Sequence, residues 1–175
     1  MMLGKNEILK LFEKYKIIYP FDLNLLDGES YVLTVKEEVI VPYMSHKNVL
    51  SHEIVFIPPE YVGFLSIKSK YGRAGLFFSG AVKVHSGWIG RPVLEVLNVN
   101  DEHKSITIKR GDPFVHLSIE ERKGEPSPYL GAYQYQAMDE EEIEMFRPYM
   151  EKAWKDAGLN FSEYEKKVRK AKFKF

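Results

Sequence analysis

The chain has 175 residues, 45% hydrophobic and 29% charged, the balance of a folded domain with its own core rather than of a disordered segment. Its 25 Lys and Arg equal its 25 Asp and Glu, so it lacks the basic excess of a general nucleic-acid binder, although a local phosphate site needs only a few cations in one place. The absence of Cys excludes a disulfide framework and a thiolate metal centre.

Lys, Glu and Asn interrupt the apolar residues from Met1 to Glu13, and no apolar run reaches spanning length. The expectation is a cytoplasmic protein without a signal peptide or a membrane partner. Ile8, Leu9, Leu11, Phe12 and Tyr15 recur at helical spacing and predict an amphipathic helix over 4–15, ending near Lys16. Glu7, three residues after Gly4, is a faint capping box. Pro20 and Asp27-Gly28 mark turns. From Ser30 to Glu121 the pattern changes to short runs of β-formers, predicting strands at 31–35, 38–41, 53–57, 63–66, 82–85, 93–98, 105–108 and 115–119. Ile106 and Ile108, then Val115, Leu117 and Ile119, alternate with polar residues, which gives antiparallel sheets one apolar face each. Pro92 has no N–H to donate, so its strand begins after it or has an edge or bulge there. Residues 122–136 are rich in Gly, Pro and Tyr and read as a loop. Beyond Asp139 the apolar residues Ile143, Phe146, Met150, Ala153, Trp154 and Ala157 share a helical face, with Gly158 as C-cap. Pro148 predicts a kink or break in that helix, and a second helix is expected from Phe161 to about Ala171. Many short strands followed by helices predict an all-β sandwich or barrel with peripheral helices.

Three stretches carry residues suited to chemistry. Lys68-Ser69-Lys70-x-Gly72-Arg73-x-Gly75 gathers three cations, a hydroxyl and two glycines within eight residues, a composition that can grip phosphate. A solvated basic turn is the commoner reading of such a cluster by itself. Glu95 interrupts the apolar run Val93-Leu94-Glu95-Val96-Leu97. A charge there must face a cavity, a partner or solvent, and alternation with Leu94 and Val96 allows each. Trp88 follows Gly87 in a hairpin-like stretch and can either pack that hairpin or line a site. The five histidines, His46, His52, His85, His103 and His116, show no metal-ligand spacing.

In order and spacing, Lys68–Leu76, Val84–Gly90 and Val93–Asn98 resemble the dCTP deaminase/dUTPase family. That family carries a loop R-S-S-x-x-R-x-G-L, then D-P-G-[FYW]-x-G, then a strand ending L-E-x-x-N. Pro128–Gln136 is similar to its C-terminal Tyr- and Gln-bearing segments, and Leu3-Gly4-Lys5-x-Glu7-Ile8 to its N-terminal signature. The resemblance spans about residues 3–136. It implies an all-β distorted jelly roll or β-clip (dUTPase-like) domain over 1–136, with a C-terminal helical extension over 137–175 packed on or beside it. It also implies a homotrimer with sites between subunits and a deoxypyrimidine triphosphate as substrate. Lys68, Ser69, Lys70 and Arg73 would hold the triphosphate, Ser69 and Arg73 also lining the reaction centre. Val84, His85 and Trp88 would read base and sugar, and Tyr133 and Gln136 would close over the nucleotide. Glu95 would activate water for attack on C4 of cytosine. Mg²⁺ would arrive on the triphosphate, with no metal site in the protein.

The chain departs from the pattern at His85, where the family carries Asp, at Lys70, where it carries Ser, and at Ala132, where many deaminases carry Lys. Hydrolytic deamination of dCTP to dUTP is the activity the resemblance implies. Two alternatives stay open. One is a dUTP diphosphatase or bifunctional enzyme, which His85 counts against. The other is a nucleotide-binding paralogue without turnover, which the three departures favour and Glu95 and Trp88 oppose.

Overall fold

The computed structural model describes residues 1–168. Among them the elements run in chain order as α1 (Lys5–Tyr15), β1 (Ile18–Tyr19), a 3₁₀ turn (Leu23–Leu25), β2 (Tyr31–Thr34), β3 (Val39–Val41), β4 (His46–Leu50), β5 (Ile54–Phe56), β6 (Tyr61–Ile67), α2 (Ser69–Arg73), β7 (Leu76–Phe78), β8 (Lys83–Val84), β9 (Ile89–Gly90), β10 (Val93–Asn98), β11 (Ile106–Ile108), β12 (Pro113–Glu121), α3 (Glu140–Asp156) and α4 (Phe161–Lys167). The strands form four antiparallel sheets, ordered β1-β5-β9, β4-β10-β7, β11-β3 and β2-β12-β6-β8, which wrap one core as a distorted jelly roll.

The period-two pattern explains the longest strand. Val115, Leu117 and Ile119 of β12 are buried between β2 and β6, while the residues between them face outward or sit half-buried. In β10 the same alternation buries Leu94 and Val96 and turns Glu95 and Leu97 to the other face. Of the two arrangements the proline allows, β10 takes the first and begins directly after Pro92. Four strands escaped sequence reading. β1 and β9 are two residues each, too short to show a period. β4 begins with exposed His46, Lys47 and Asn48 and pairs only with β10, so its composition is that of a solvated edge. β7 is three residues following directly on α2.

α1 ends where expected, with Lys16 in the left-handed conformation, but Gly4 caps it without a side-chain bond and Glu7 pairs instead with Lys10. α3 runs unbroken through Pro148, against the predicted kink. Proline forfeits one helical hydrogen bond, but Ile143 and Phe146 before it and Met150, Ala153 and Trp154 after it are buried on one face, each worth about 2 kcal/mol for the larger side chains. Both ends are also fixed. Asp139 and Glu142 form a reciprocal capping box, and the amides of Gly158 and Leu159 return to the carbonyls of Lys155 and Trp154 with Gly158 at φ +73°. The second helix ends at Lys167; the rest of its predicted span, 169–171, lies outside the described residues. Trp154 carries α3 into the common core, stacked on Phe56 and in contact with Phe161 and Tyr164 of α4. Tyr15 donates to Asp156, fastening α1 to the end of α3. No helix among the described residues is long and apolar enough to cross a membrane.

Arg91, between β9 and β10, fixes where this helical layer begins. It is 8% exposed and donates through Nε to the His52 carbonyl, through one terminal nitrogen to the Ala137 carbonyl, and through both to the Glu142 carboxylate at 3.0 and 2.7 Å. Burial acts to raise the Glu142 carboxyl, but the Arg91 guanidinium and the Asp139 amide outweigh it and hold the group below the usual glutamate range. A lowered folded-state pKa contributes stability that is present above the unfolded pKa and is lost as pH falls through the folded value. Replacing Arg91 by Met should therefore lower the unfolding free energy at neutral pH by about 3 kcal/mol. It should also flatten the acid limb of the stability profile; urea denaturation across a pH series measures both.

Candidate functional site

Beside β10 opens a cavity of about 610 Å³. Glu95 and Val93 of β10, with Pro92, form one side, and Asn48 of β4 stands across from Glu95 in register. Leu65 of β6 and the stretch Ala81, Lys83, Val84, His85 form a second side. Trp88 with Tyr129, Tyr133 and Gln136 closes a third.

Strand alternation accounts for Glu95. With Leu94 and Val96 in the core, its carboxylate must point outward, into the cavity wall, where it is half-buried. Ser79, just past β7, donates from Oγ to Glu95 Oε2 at 2.6 Å, and its amide donates to the Glu95 carbonyl at 3.0 Å. The serine thus fixes one oxygen of a carboxylate that lines the cavity. The opposite wall depends on Gly87, which turns the chain between β8 and β9 at φ +72° and donates to the Ile57 carbonyl. A Cβ there would lie 2.5 Å from Pro128 Cβ and 3.2 Å from Trp154, so the turn is closed to any side chain. This turn sets His85 and Trp88 on the cavity. Trp88 is buried, with Nε1 donating to the Tyr133 carbonyl at 3.0 Å, so it serves as both hairpin packing and cavity wall. The His85 ring lies 5.2 Å from that of Tyr129. Partial desolvation, then the Lys83 ammonium, push His85 below the usual histidine range, which makes it a neutral donor–acceptor at pH 7 rather than a charge.

Six of the sequence-derived site residues thus meet in one place: Glu95, Val84, His85, Trp88, Tyr133 and Gln136. Gln136 is largely committed to structure, its amide donating to the Arg91 carbonyl at 2.8 Å. Lys68, Ser69, Lys70 and Arg73 do not line the cavity. They belong to the single turn of α2, with Lys68 as its N-cap; Ser69, Lys70 and Arg73 are exposed, and the Lys70 ammonium rests over the Tyr71 ring. Asn48, Lys83, Tyr129 and the buttress Ser79 were missed as site residues. Tyr129 lay inside a matched segment and Ser79 and Lys83 between two of them, but only the β4–β10 and β7–β10 pairings bring Asn48 and Ser79 to Glu95. Among the described residues no cluster of three or more His, Asp or Glu could hold a metal ion.

The family model for dCTP deaminase-like domains matches residues 21–122, more than half of the chain. The chain belongs to that family. It is 30% identical over 120 residues to the dCTP deaminase of Pyrobaculum arsenaticum, covering 69% of this chain and 65% of that one. It is 33% identical over 121 residues to the dCTP deaminase of Thermococcus kodakarensis, covering 65% of this chain and 76% of that one. The chain thus spans just under two thirds of the first relative. A crystal structure of 2′-deoxycytidine 5′-triphosphate deaminase from Agrobacterium tumefaciens superimposes with a TM-score of 0.59 at 14% identity, covering 69% of this chain and 48% of that one. This superposition establishes a shared fold. The family match begins at residue 21 and stops at 122, so Glu95, His85, Trp88 and α2 lie within it, while Tyr129, Tyr133, Gln136 and both C-terminal helices lie beyond.

Gly87→Ala should destabilise the fold by about 2 kcal/mol, from left-handed backbone strain and the collision with Pro128. A thermal melt checks this, and a melt within a degree of the parent would show that the turn relaxes freely.

Proposed function

We propose that the protein is a dCTP deaminase that releases ammonia from C4 of the cytosine ring, with Glu95 as the proton shuttle. The observation that carries this reading is a carboxylate on an otherwise apolar strand, held by Ser79 in the wall of a cavity faced by an aromatic hairpin. The dCTP deaminases at 30% and 33% identity support the reaction class.

The chemistry needs few parts. Glu95 Oε1 takes a proton from water, and the hydroxide adds to C4 of the ring. The proton is returned to the substrate so that the amino group leaves as ammonia, giving dUTP. Ser79 keeps the carboxylate oriented through both transfers. Backbone groups of the 84–88 hairpin suit the edge of the base, and Trp88 the face of the sugar.

Lys68, Ser69, Lys70 and Arg73 suit the triphosphate but stand away from the cavity of their own chain. A homotrimer with sites between subunits would bring α2 of one subunit to the cavity of the next, adding Ser69 and Arg73 to the reaction centre. Phe77 and Leu97 support such an assembly. They are cross-strand neighbours on β7 and β10, 65% and 36% exposed, and Leu97 lies on the same strand face as Glu95. Exposed apolar area beside a site suits a subunit contact. Mg²⁺ enters as part of the nucleotide complex. Lys68 supplies charge without the two-pronged geometry of arginine.

His85 favours a second reading, a nucleotide-binding paralogue without turnover, because a neutral imidazole supplies no fixed negative charge where the family carries a carboxylate. The same residue weighs against hydrolysis of dUTP to dUMP.

Incubation with Mg²⁺ and dCTP or dUTP separately, with all products resolved, tests these readings. The expected result is dUTP and ammonia from dCTP. Glu95→Gln should abolish ammonia release while nucleotide affinity stays within about tenfold, and Ser79→Ala should lower kcat by about tenfold with KM little changed. Unchanged dCTP that nevertheless binds the folded protein would favour the paralogue, and dUMP would favour the diphosphatase.

A further inference from the structure

The third side of the cavity is held by the C-terminal helices. The Tyr164 hydroxyl of α4 donates to the Tyr129 carbonyl and accepts from Gln134 Nε2 at 2.7 Å. Gln134 is fully buried. Its second amide hydrogen goes to the Gly87 carbonyl at 2.8 Å, and its oxygen accepts from the Ile89 amide at 3.0 Å. One glutamine side chain therefore joins α4 to the hairpin that bears His85 and Trp88. Around it the segment is fastened residue by residue: the Tyr129 amide to the Ser86 carbonyl, the Tyr135 amide to the Ile89 carbonyl, Trp88 Nε1 to the Tyr133 carbonyl, and the Arg91 amide to the Gln136 carbonyl. Every one of these bonds is supplied by the chain itself.

We propose that Tyr164 is a positioning residue and that α3 and α4 act as a fixed clamp, making 128–136 a permanent wall of the cavity instead of a lid that orders when nucleotide binds. A wall already in place spares binding the cost of ordering the segment. The proposal builds on the nucleotide reading only for its ligand; the clamp itself stands on the hydrogen bonds.

Hydrogen exchange, resolved to single amides, tests it in the full chain. Tyr164→Phe keeps the ring against Trp154, 4.6 Å away, and removes only the hydroxyl. Without added nucleotide the amides of Ile89, Tyr129 and Tyr135 should exchange slowly in the parent protein. In Tyr164→Phe they should exchange about tenfold faster while amides of β12 are unaffected. Mg²⁺-dCTP should change these amides less than about twofold in the parent yet restore protection in Tyr164→Phe. Rapid exchange in the parent that dCTP slows would overturn the proposal in favour of a closing lid. Unchanged exchange in Tyr164→Phe, or faster exchange spread equally through β12, would also overturn it, the latter because Tyr164 would then serve only global stability. Failure of dCTP to bind either protein would count against the nucleotide reading, and the comparison without nucleotide would still decide the clamp.

Discussion

A buried guanidinium organises this molecule. Arg91 leaves water almost completely, a costly step that its bonds to two carbonyls and one carboxylate offset. Those bonds join three distant parts of the chain: the His52 turn before β5, the β9–β10 junction, and the start of α3. Glu142 serves both sides of the arrangement, as acceptor for Arg91 and as the third residue of the capping box. The helix cannot begin in register without also docking on the sheet. With the start of α3 fixed, the path of the preceding segment across the hairpin is fixed as well, and with it the third side of the cavity.

The site itself follows from a simpler rule, that side chains alternate along a strand. Leu94 and Val96 claim the core, so Glu95 is turned outward where Ser79 and Asn48 meet it. The same rule puts Leu97 out beside Phe77. A carboxylate lining the cavity and an apolar patch on one sheet face are thus a single consequence of strand pairing.

Sequence alone revealed what depends on period and motif. The alternation in 106–108 and 115–119 gave two strands and their buried faces, and the Glu, Trp and His positions of the cavity were legible from motif order. What it concealed depends on long-range pairing or on context. β4 starts with three polar residues because only one of its edges is bonded, so nothing in its composition marks a strand, and Asn48 was hidden with it. Ser79 gains meaning only when β7 is laid against β10. Pro148 signals a kink in isolation, but capping at both ends and a buried face on each side of it keep α3 continuous. The basic motif at 68–75 had a composition suited to phosphate, yet nothing in its spacing told where it would lie; α2 presents it to solvent, away from the cavity of its own chain.

The bonds of Gln134 have a consequence for how the protein is made. Gly87 and Ile89 precede their partner by 47 and 45 residues, and the hydroxyl that completes the bracket lies 30 residues later still. During synthesis the hairpin emerges first, with the Gly87 carbonyl and the Ile89 amide still lacking Gln134, and the strand bearing Glu95 follows while one wall of the cavity is still inside the ribosome. The pocket closes only after α4 has been released. A nascent chain therefore places the carboxylate beside its buttress early, while the third side of the cavity waits for the α4 hydroxyl.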